Sequence, residues 1–181
     1  VLFPGMPMPL HIFEERYKAM IGECVDREEP FGIILIKEGQ EVGGPADPVK
    51  IGTTARIAQV ERLDEGRLNI MTKGEKRFEV VEITQQVPHV VALVRYLTEE
   101  SGEESASVYQ ETKEAYDGYL RHLTSLTGGW TAQAEVPDDP VTLSFAVASS
   151  LASGIEIPRA VKQDLLETPD AAQRLKKLLP L

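Results

Sequence analysis

The sequence predicts an α+β protein: a β-barrel half carrying one helix, followed by an α-helical bundle. Three observations carry that reading. Short apolar alternations punctuated by turn residues fill residues 1–98, whereas residues 106–181 show apolar positions at helical spacing. Between them, residues 99–105 hold Glu99, Glu100, Glu103 and Glu104 among Gly and Ser, the composition of a solvated acidic linker. Charge divides at the same place. Residues 1–98 carry 12 basic and 15 acidic side chains, against 7 and 14 in the remainder.

The elements follow in order. Leu2-Phe3 reads as the end of a strand stopped by Pro4-Gly5. The chain opens at Val1 inside an apolar stretch, so a further strand is expected upstream. Pro7 and Pro9 hold the next segment extended and remove backbone donors, which predicts an edge or crossover segment. Phe13, Tyr17, Met20, Ile21 and Cys24 fall on one helical face, so a helix is predicted from Phe13. Residues 31–37 predict a strand buried on both faces, because residues 33–36 are all apolar. Residues 38–50 contain Gly39, Gly43, Gly44, Pro45 and Pro48 and read as a long loop. Strands over residues 53–63 and 67–72 flank the turn Asp64-Glu65-Gly66. The apolar phase slips between Ile57 and Val60, the mark of a β-bulge. Strands over residues 77–83 and 90–97 complete a small closed or half-closed barrel.

In the second half, Val108, Thr112, Ala115, Tyr119 and Leu123 mark one helix, stopped by Thr127-Gly128-Gly129. Residues 130–139 read as a loop. Asp139 before Pro140 is a helix start, and that helix runs to Ser153-Gly154. Pro158 starts a third helix and Thr168-Pro169 a fourth, carrying Leu175, Leu178 and Leu179. Short connections imply an antiparallel bundle.

Composition removes several classes of function. The chain has 181 residues, 19 Lys plus Arg against 29 Asp plus Glu, and a formal net charge of −10, a field that opposes nucleic acid. One Cys and three His provide neither a disulfide framework nor zinc-ligand spacing. No apolar run approaches the roughly 20 residues that span a bilayer. No Gly-x4-Gly-Lys-Ser/Thr loop occurs for a nucleotide phosphate. Ser149 and Ser150 lie near Lys162 in sequence but on a separate helix, so they read as packing or surface residues. Cys24 reads as a small buried hydrophobe, and His11 as a group that fixes local backbone. His89 and His122 lack ligand neighbours. Arg62, Arg67, Lys73, Lys76 and Arg77 are nearly cancelled by Glu61, Asp64, Glu65 and Glu75, giving a solvated hairpin face.

Phe3, Met6, Met8 and Leu10 stand apart. These large apolar groups flank prolines in an extended segment, and they either cover the core or form an adaptable surface for extended peptides. In the second case a peptide is expected to add to the strand edge by main-chain hydrogen bonds.

The run Leu2-Phe3-Pro4-Gly5-Met6-Pro7-Met8-Pro9-Leu10-His11-Ile12-Phe13-Glu14-Glu15-Arg16-Tyr17 resembles the opening motif of the Lon N-terminal domain family. The resemblance continues through Phe31-Gly32-Ile33-Ile34-Leu35-Ile36, Glu38-Gly39-Gln40-Glu41-Val42-Gly43-Gly44 and Gly52-Thr53-Thr54-Ala55-Arg56-Ile57. It extends to Asp64-Glu65-Gly66-Arg67, Gly74-Glu75-Lys76-Arg77-Phe78, Lys162-Gln163-Asp164-Leu165-Leu166-Glu167 and Arg174-Leu175. It implies a PUA-like β-rich half followed by a helical bundle. In Lon proteases this domain recognises substrate polypeptides and supports hexamer assembly, ahead of an ATPase and a Ser/Lys protease domain. His11-Ile12-Phe13-Glu14 and Val42-Gly43-Gly44 look more like the free-standing bacterial members.

With the resemblance, the reading is a non-catalytic protein that binds unfolded or extended polypeptides, and the apolar residues beside the prolines, Phe3, Met6, Met8 and Leu10, are the expected contacts. Composition and charge add the expectations of no cofactor or metal, no nucleic-acid or membrane partner and a cytoplasmic location, and an unpaired strand edge near Val1 adds that of self-association. The alternatives are the substrate-recognition domain of an ATP-dependent Lon protease, and an RNA-binding PUA-like module that the net charge opposes.

Overall fold

The computed structural model describes every residue except 40–45, 103–104, 127–134 and 155–156. The chain divides into two compact units, Val1–Leu97 and Thr98–Leu181. The α+β class holds, with a five-stranded antiparallel sheet in the first unit.

Five strands and one long helix build the first unit: β1 (Pro7–Ile12), α1 (Glu15–Arg27), β2 (Phe31–Gly39), β3 (Ala46–Arg62), β4 (Leu68–Gln85) and β5 (Val91–Tyr96). The pairing path runs β1-β4-β3-β2, and β5 pairs β4 beyond the end of β1. The turn Asp64–Gly66 closes the β3–β4 hairpin, with Glu65 at φ 60° and Gly66 at φ 70°. The bulge expected after Ile57 is present, because the β3–β4 register shifts between Ile57 and Gln59.

Several sequence expectations need correction. Leu2-Phe3 lies outside the named strands, and the proline-bearing segment is itself β1. Phe13 precedes α1 and is 51% exposed, because the helix begins only at Glu15. β2 ends the pairing path, and Ile33, Ile34, Leu35 and Ile36 are half-buried, not covered on both faces. The predicted loop at residues 38–50 is largely strand, since β2 reaches Gly39 and β3 begins at Ala46; residues 40–45 lie outside the described residues.

The two predicted strands at 67–72 and 77–83 are one strand that runs through Gly74. Gly74 is required there. A Cβ on it would lie 2.2 Å from the Phe3 carbonyl oxygen and 3.1 Å from Leu2 Cγ. Leu2 and Phe3 pass over this point fully buried, and the Thr53 hydroxyl donates to the Leu2 carbonyl at 2.7 Å. Nearer the hairpin, α1 lays Ile21 against Leu68 and Ile70, joined by Leu10, Ile12, Met20, Val25, Phe31 and Ile57.

The second unit holds α2 (Ser105–Leu126), α3 (Pro140–Gly154), α4 (Arg159–Glu167) and α5 (Ala171–Leu178). Asp139 caps α3 as predicted, accepting from the Thr142 amide at 2.9 Å. The last helix starts at Asp170 instead of Thr168, because Asp170 accepts from the Gln173 amide while Thr168 closes α4. The expected stop at residues 127–129 and the Trp130 loop fall on or beside residues 127–134, outside the described set.

α3 is the hub, with Leu143, Phe145, Val147 and Ala148 buried. Arg174 enters this core fully buried. Its Nε donates to Ser144 Oγ at 2.8 Å, another guanidinium N–H donates to the Thr168 carbonyl, and its plane lies 3.9 Å from the Phe145 ring centre. The acidic segment expected to be solvated is tied to α5. Glu99 pairs with Arg174 at 3.4 Å, and the Ala171 amide donates to the Glu100 carbonyl at 2.8 Å.

Candidate functional site

β1 sets the geometry of the predicted peptide-binding residues. The Met6 carbonyl accepts from the Gly74 amide at 2.9 Å, so even-numbered residues of the segment turn their main-chain groups toward β4. Odd-numbered residues turn theirs to the open side of the sheet. Pro7 and Pro9 occupy those positions and have no N–H to offer. His11 is the one outward position of β1 that keeps an N–H, so the edge is short of donors, which works against the expected strand addition along β1.

The four predicted residues do not form one exposed surface. Phe3 is fully buried beside Gly74 and is a core residue, which corrects its assignment as a peptide contact. Met8 and Leu10 pair with Thr72 and Ile70, both buried, so their side chains share the inner face. Leu10 packs on the Ile21 cluster, while Met6 and Met8 are half-buried.

The opposite face carries a different arrangement. Pro9, Met71 and Gln59 lie in one cross-strand row over β1, β4 and β3, and His11, Asn69 and Glu61 in the next. The second row is bonded throughout: His11 Nδ1 meets Asn69 Oδ1 at 2.7 Å, and Asn69 Nδ2 donates to Glu61 at 2.9 Å. His11 thus fixes local structure, and its ring stacks on Phe13 with centres 6.0 Å apart. An open groove of about 570 Å³ runs here, with Pro9, Met71 and Gln59 and the polar row on this face and with Leu10, Val60 and Ile70, whose row belongs to the inner face, at its border. Met71 and Val60 are each 37% exposed. Sequence reasoning missed Met71 because its strand was read as a solvated hairpin face.

A second groove of about 280 Å³ lies between the end of α1 and β3, lined in part by Cys24, Val25, Arg56 and Ile57. Burial, reinforced by Glu29 and Glu23, pushes the Cys24 thiol above its ordinary value, the reverse of what a nucleophile needs. Arg56 pairs with Glu75.

Other sequence candidates are accounted for locally. Lys162 Nζ donates to the Ala152 carbonyl at 3.1 Å, Ser150 bonds the Tyr116 hydroxyl at 2.8 Å and the buried Ser149 Oγ makes no hydrogen bond among the described residues, so neither serine is bonded to Lys162 as an activated pair. Arg77 is 1% exposed and leaves the basic hairpin face. Among the described residues no group of three or more His, Cys, Asp or Glu gathers as for a metal ion. No described helix is long and apolar enough to cross a membrane.

Comparison with known proteins adds to this geometry. Residues 1–181 match the family described as the ATP-dependent protease La (LON) substrate-binding domain. Lon protease of Desulfosudis oleivorans is 30% identical over 98% of this chain, and Lon protease 2 of Myxococcus xanthus is 28% identical over 100% of it. The chain spans 22% of the length of each. Two solved structures share the fold. A Lon N-terminal domain protein from Xanthomonas campestris has a TM-score of 0.68 at 23% identity, covering 99% of this chain and 92% of that one. The N-terminal domain of the Mycobacterium avium complex Lon protease has a TM-score of 0.73 at 20% identity, covering 99% and 91%.

Proposed function

The chain belongs to the Lon substrate-binding domain family, and from that premise we propose that it is a non-catalytic module that binds unfolded or extended polypeptides. The observation that carries the reading is the groove over β1, β4 and β3. Its outer-face apolar groups are Pro9 and Met71, bordered by Leu10 and Val60 of the inner Ile70 row. An unfolded segment offers side chains that a folded protein hides. Apolar side chains fill such a groove, and unbranched methionines repack around varied shapes at little strain. The bonded row His11–Asn69–Glu61 leaves few polar groups to select a sequence, so binding is weak and tolerant.

Two forms of this reading remain distinct. The module acts by itself, or it is the substrate-recognition part of an ATP-dependent Lon protease, as its relatives' greater length favours. The mass of the native protein separates them. The lone thiol fits a reducing compartment, and we place the protein in the cytoplasm.

The test is binding of a labelled, permanently unfolded polypeptide to the parent and to Met71→Asp. Met71 is partly exposed, so the substitution puts a charge in the groove without entering the core. Weaker binding with an unchanged circular dichroism spectrum supports the site. Equal binding by a folded variant removes it.

A further inference from the structure

The free edge of the sheet differs along its length. β1 and β5 pair with the same side of β4, one after the other. On β1 two of the three outward positions, Pro7 and Pro9, have no N–H, and His11 is the third. On β5 the Leu97 amide donates to the Arg77 carbonyl at 3.0 Å, and the Val91 carbonyl accepts from the Thr84 hydroxyl at 3.2 Å. Odd-numbered residues therefore bond inward, and Ala92, Val94 and Tyr96 turn their amides and carbonyls outward. None of them is proline. Among the described residues β5 pairs with β4 alone. Leu93 and Tyr96 are 57% and 55% exposed.

We propose that two copies of this chain pair antiparallel along β5, about a twofold axis at Val94. The side chains fit that operation. Val94 meets Val94 of the partner subunit and exchanges both main-chain bonds with it. Small Ala92 lies opposite large Tyr96 of the partner subunit. On the exposed face, Arg95 lies opposite Leu93 of the partner subunit. Within each copy Glu79 pairs with Arg95, and Glu82 opposes Leu93. The four-strand row thus reads Glu79, Arg95, Leu93 of the partner subunit, Glu82 of the partner subunit. Glu82 is exposed, and the guanidinium of Arg95 has donors beyond those used on Glu79. The exposed apolar groups Leu93 and Val91 are covered in the same step. Local charge complementarity at this edge opposes the repulsion of two chains of net charge −10.

The experiment is sedimentation velocity on the full chain over a wide concentration range, with residue-resolved amide exchange in the same samples. The expected result is a reversible dimer, with the Ala92, Val94 and Tyr96 amides slowing as concentration rises. Val94→Pro removes one outward donor, as the chain itself does at Pro7 and Pro9, and lowers dimer affinity at least about tenfold. If Val94→Pro fails to fold, Arg95→Glu decides: it weakens the dimer, and adding Glu82→Arg recovers part of the loss. A monomer at every concentration overturns the proposal. So does a dimer that folded Val94→Pro, or Arg95→Glu, leaves unchanged. Protection of the three amides only on adding unfolded casein assigns the edge to a polypeptide partner and likewise overturns it.

Discussion

The Met6 carbonyl and the Gly74 amide meet at 2.9 Å, and that bond sets the phase of the whole edge segment. It sends the main-chain groups of Pro7 and Pro9 outward, where a missing donor breaks no bond to β4. The same prolines that lower strand propensity therefore protect an exposed edge. Replacing Pro9 with Val restores an outward N–H on β1. The expected outcome is unchanged helix and sheet content with more higher-order association, read by light scattering at matched concentration. Scattering equal to the parent's counts against this role.

Gly74 carries a steric argument. Its missing Cβ makes room for the Phe3 carbonyl, and the nearest obstructing atoms are Phe3 backbone, which has little freedom to give way. Gly74→Ala is expected to destabilise the chain by about 3 kcal/mol, the upper range of overpacking costs. Urea unfolding checks it. A midpoint shift equivalent to less than about 0.5 kcal/mol, the size of an ordinary surface change, contradicts the close approach.

Arg174 is a buried cation whose fork serves Ser144, the Thr168 carbonyl and Glu99 at once. Arg174→Ala removes this donor from the three acceptors and opens a void against Phe145. The expected loss is about 3 kcal/mol. Arg174→Lys recovers little of it, because a single ammonium cannot reproduce the planar fork. Full recovery by lysine in thermal unfolding would show that charge alone matters.

The Cys24 thiol is raised above its ordinary value of 9.0, chiefly by burial. The native state therefore holds this proton more tightly than the unfolded chain does. The favourable burial of the neutral thiol is intact below pH 9.0 and is lost as pH rises through the raised value. Alkylation at neutral pH is expected to be slower in the native chain than in urea, with the native rate rising only at more alkaline pH. Equal rates in the two states would place the thiol outside the packed face.

Much of this fold is written locally in the sequence. Asp139-Pro140 announces α3 because capping needs only neighbouring atoms, and the phase slip after Ile57 announces a bulge because alternation is itself local. Gly74 misleads for the opposite reason. Glycine beside charged residues reads as a break, yet here it admits Phe3, which is 71 positions earlier in the chain. The candidate site divides in the same way. Pro7 and Pro9 identify an edge from chemistry alone. Which of Phe3, Met8 and Met71 reaches solvent depends on register with β4, and only long-range pairing sets that. The openness of β5 is likewise a property of what lies beside it.

The central claim is that the β-rich unit binds unfolded chains through the groove at Met71. Fluorescence anisotropy with a labelled, permanently unfolded polypeptide tests it most directly, using the parent, Met71→Asp, and Leu126→Asp as a control. Leu126 is 71% exposed on α2 and is not among the residues that line the groove, so the control adds the same charge. The account predicts micromolar-class binding by the parent, about −8 kcal/mol or weaker. It predicts a clear loss in Met71→Asp, no change in Leu126→Asp, and much weaker binding of a folded protein by all three. Equal affinity of the parent and Met71→Asp, with both folded, would contradict it.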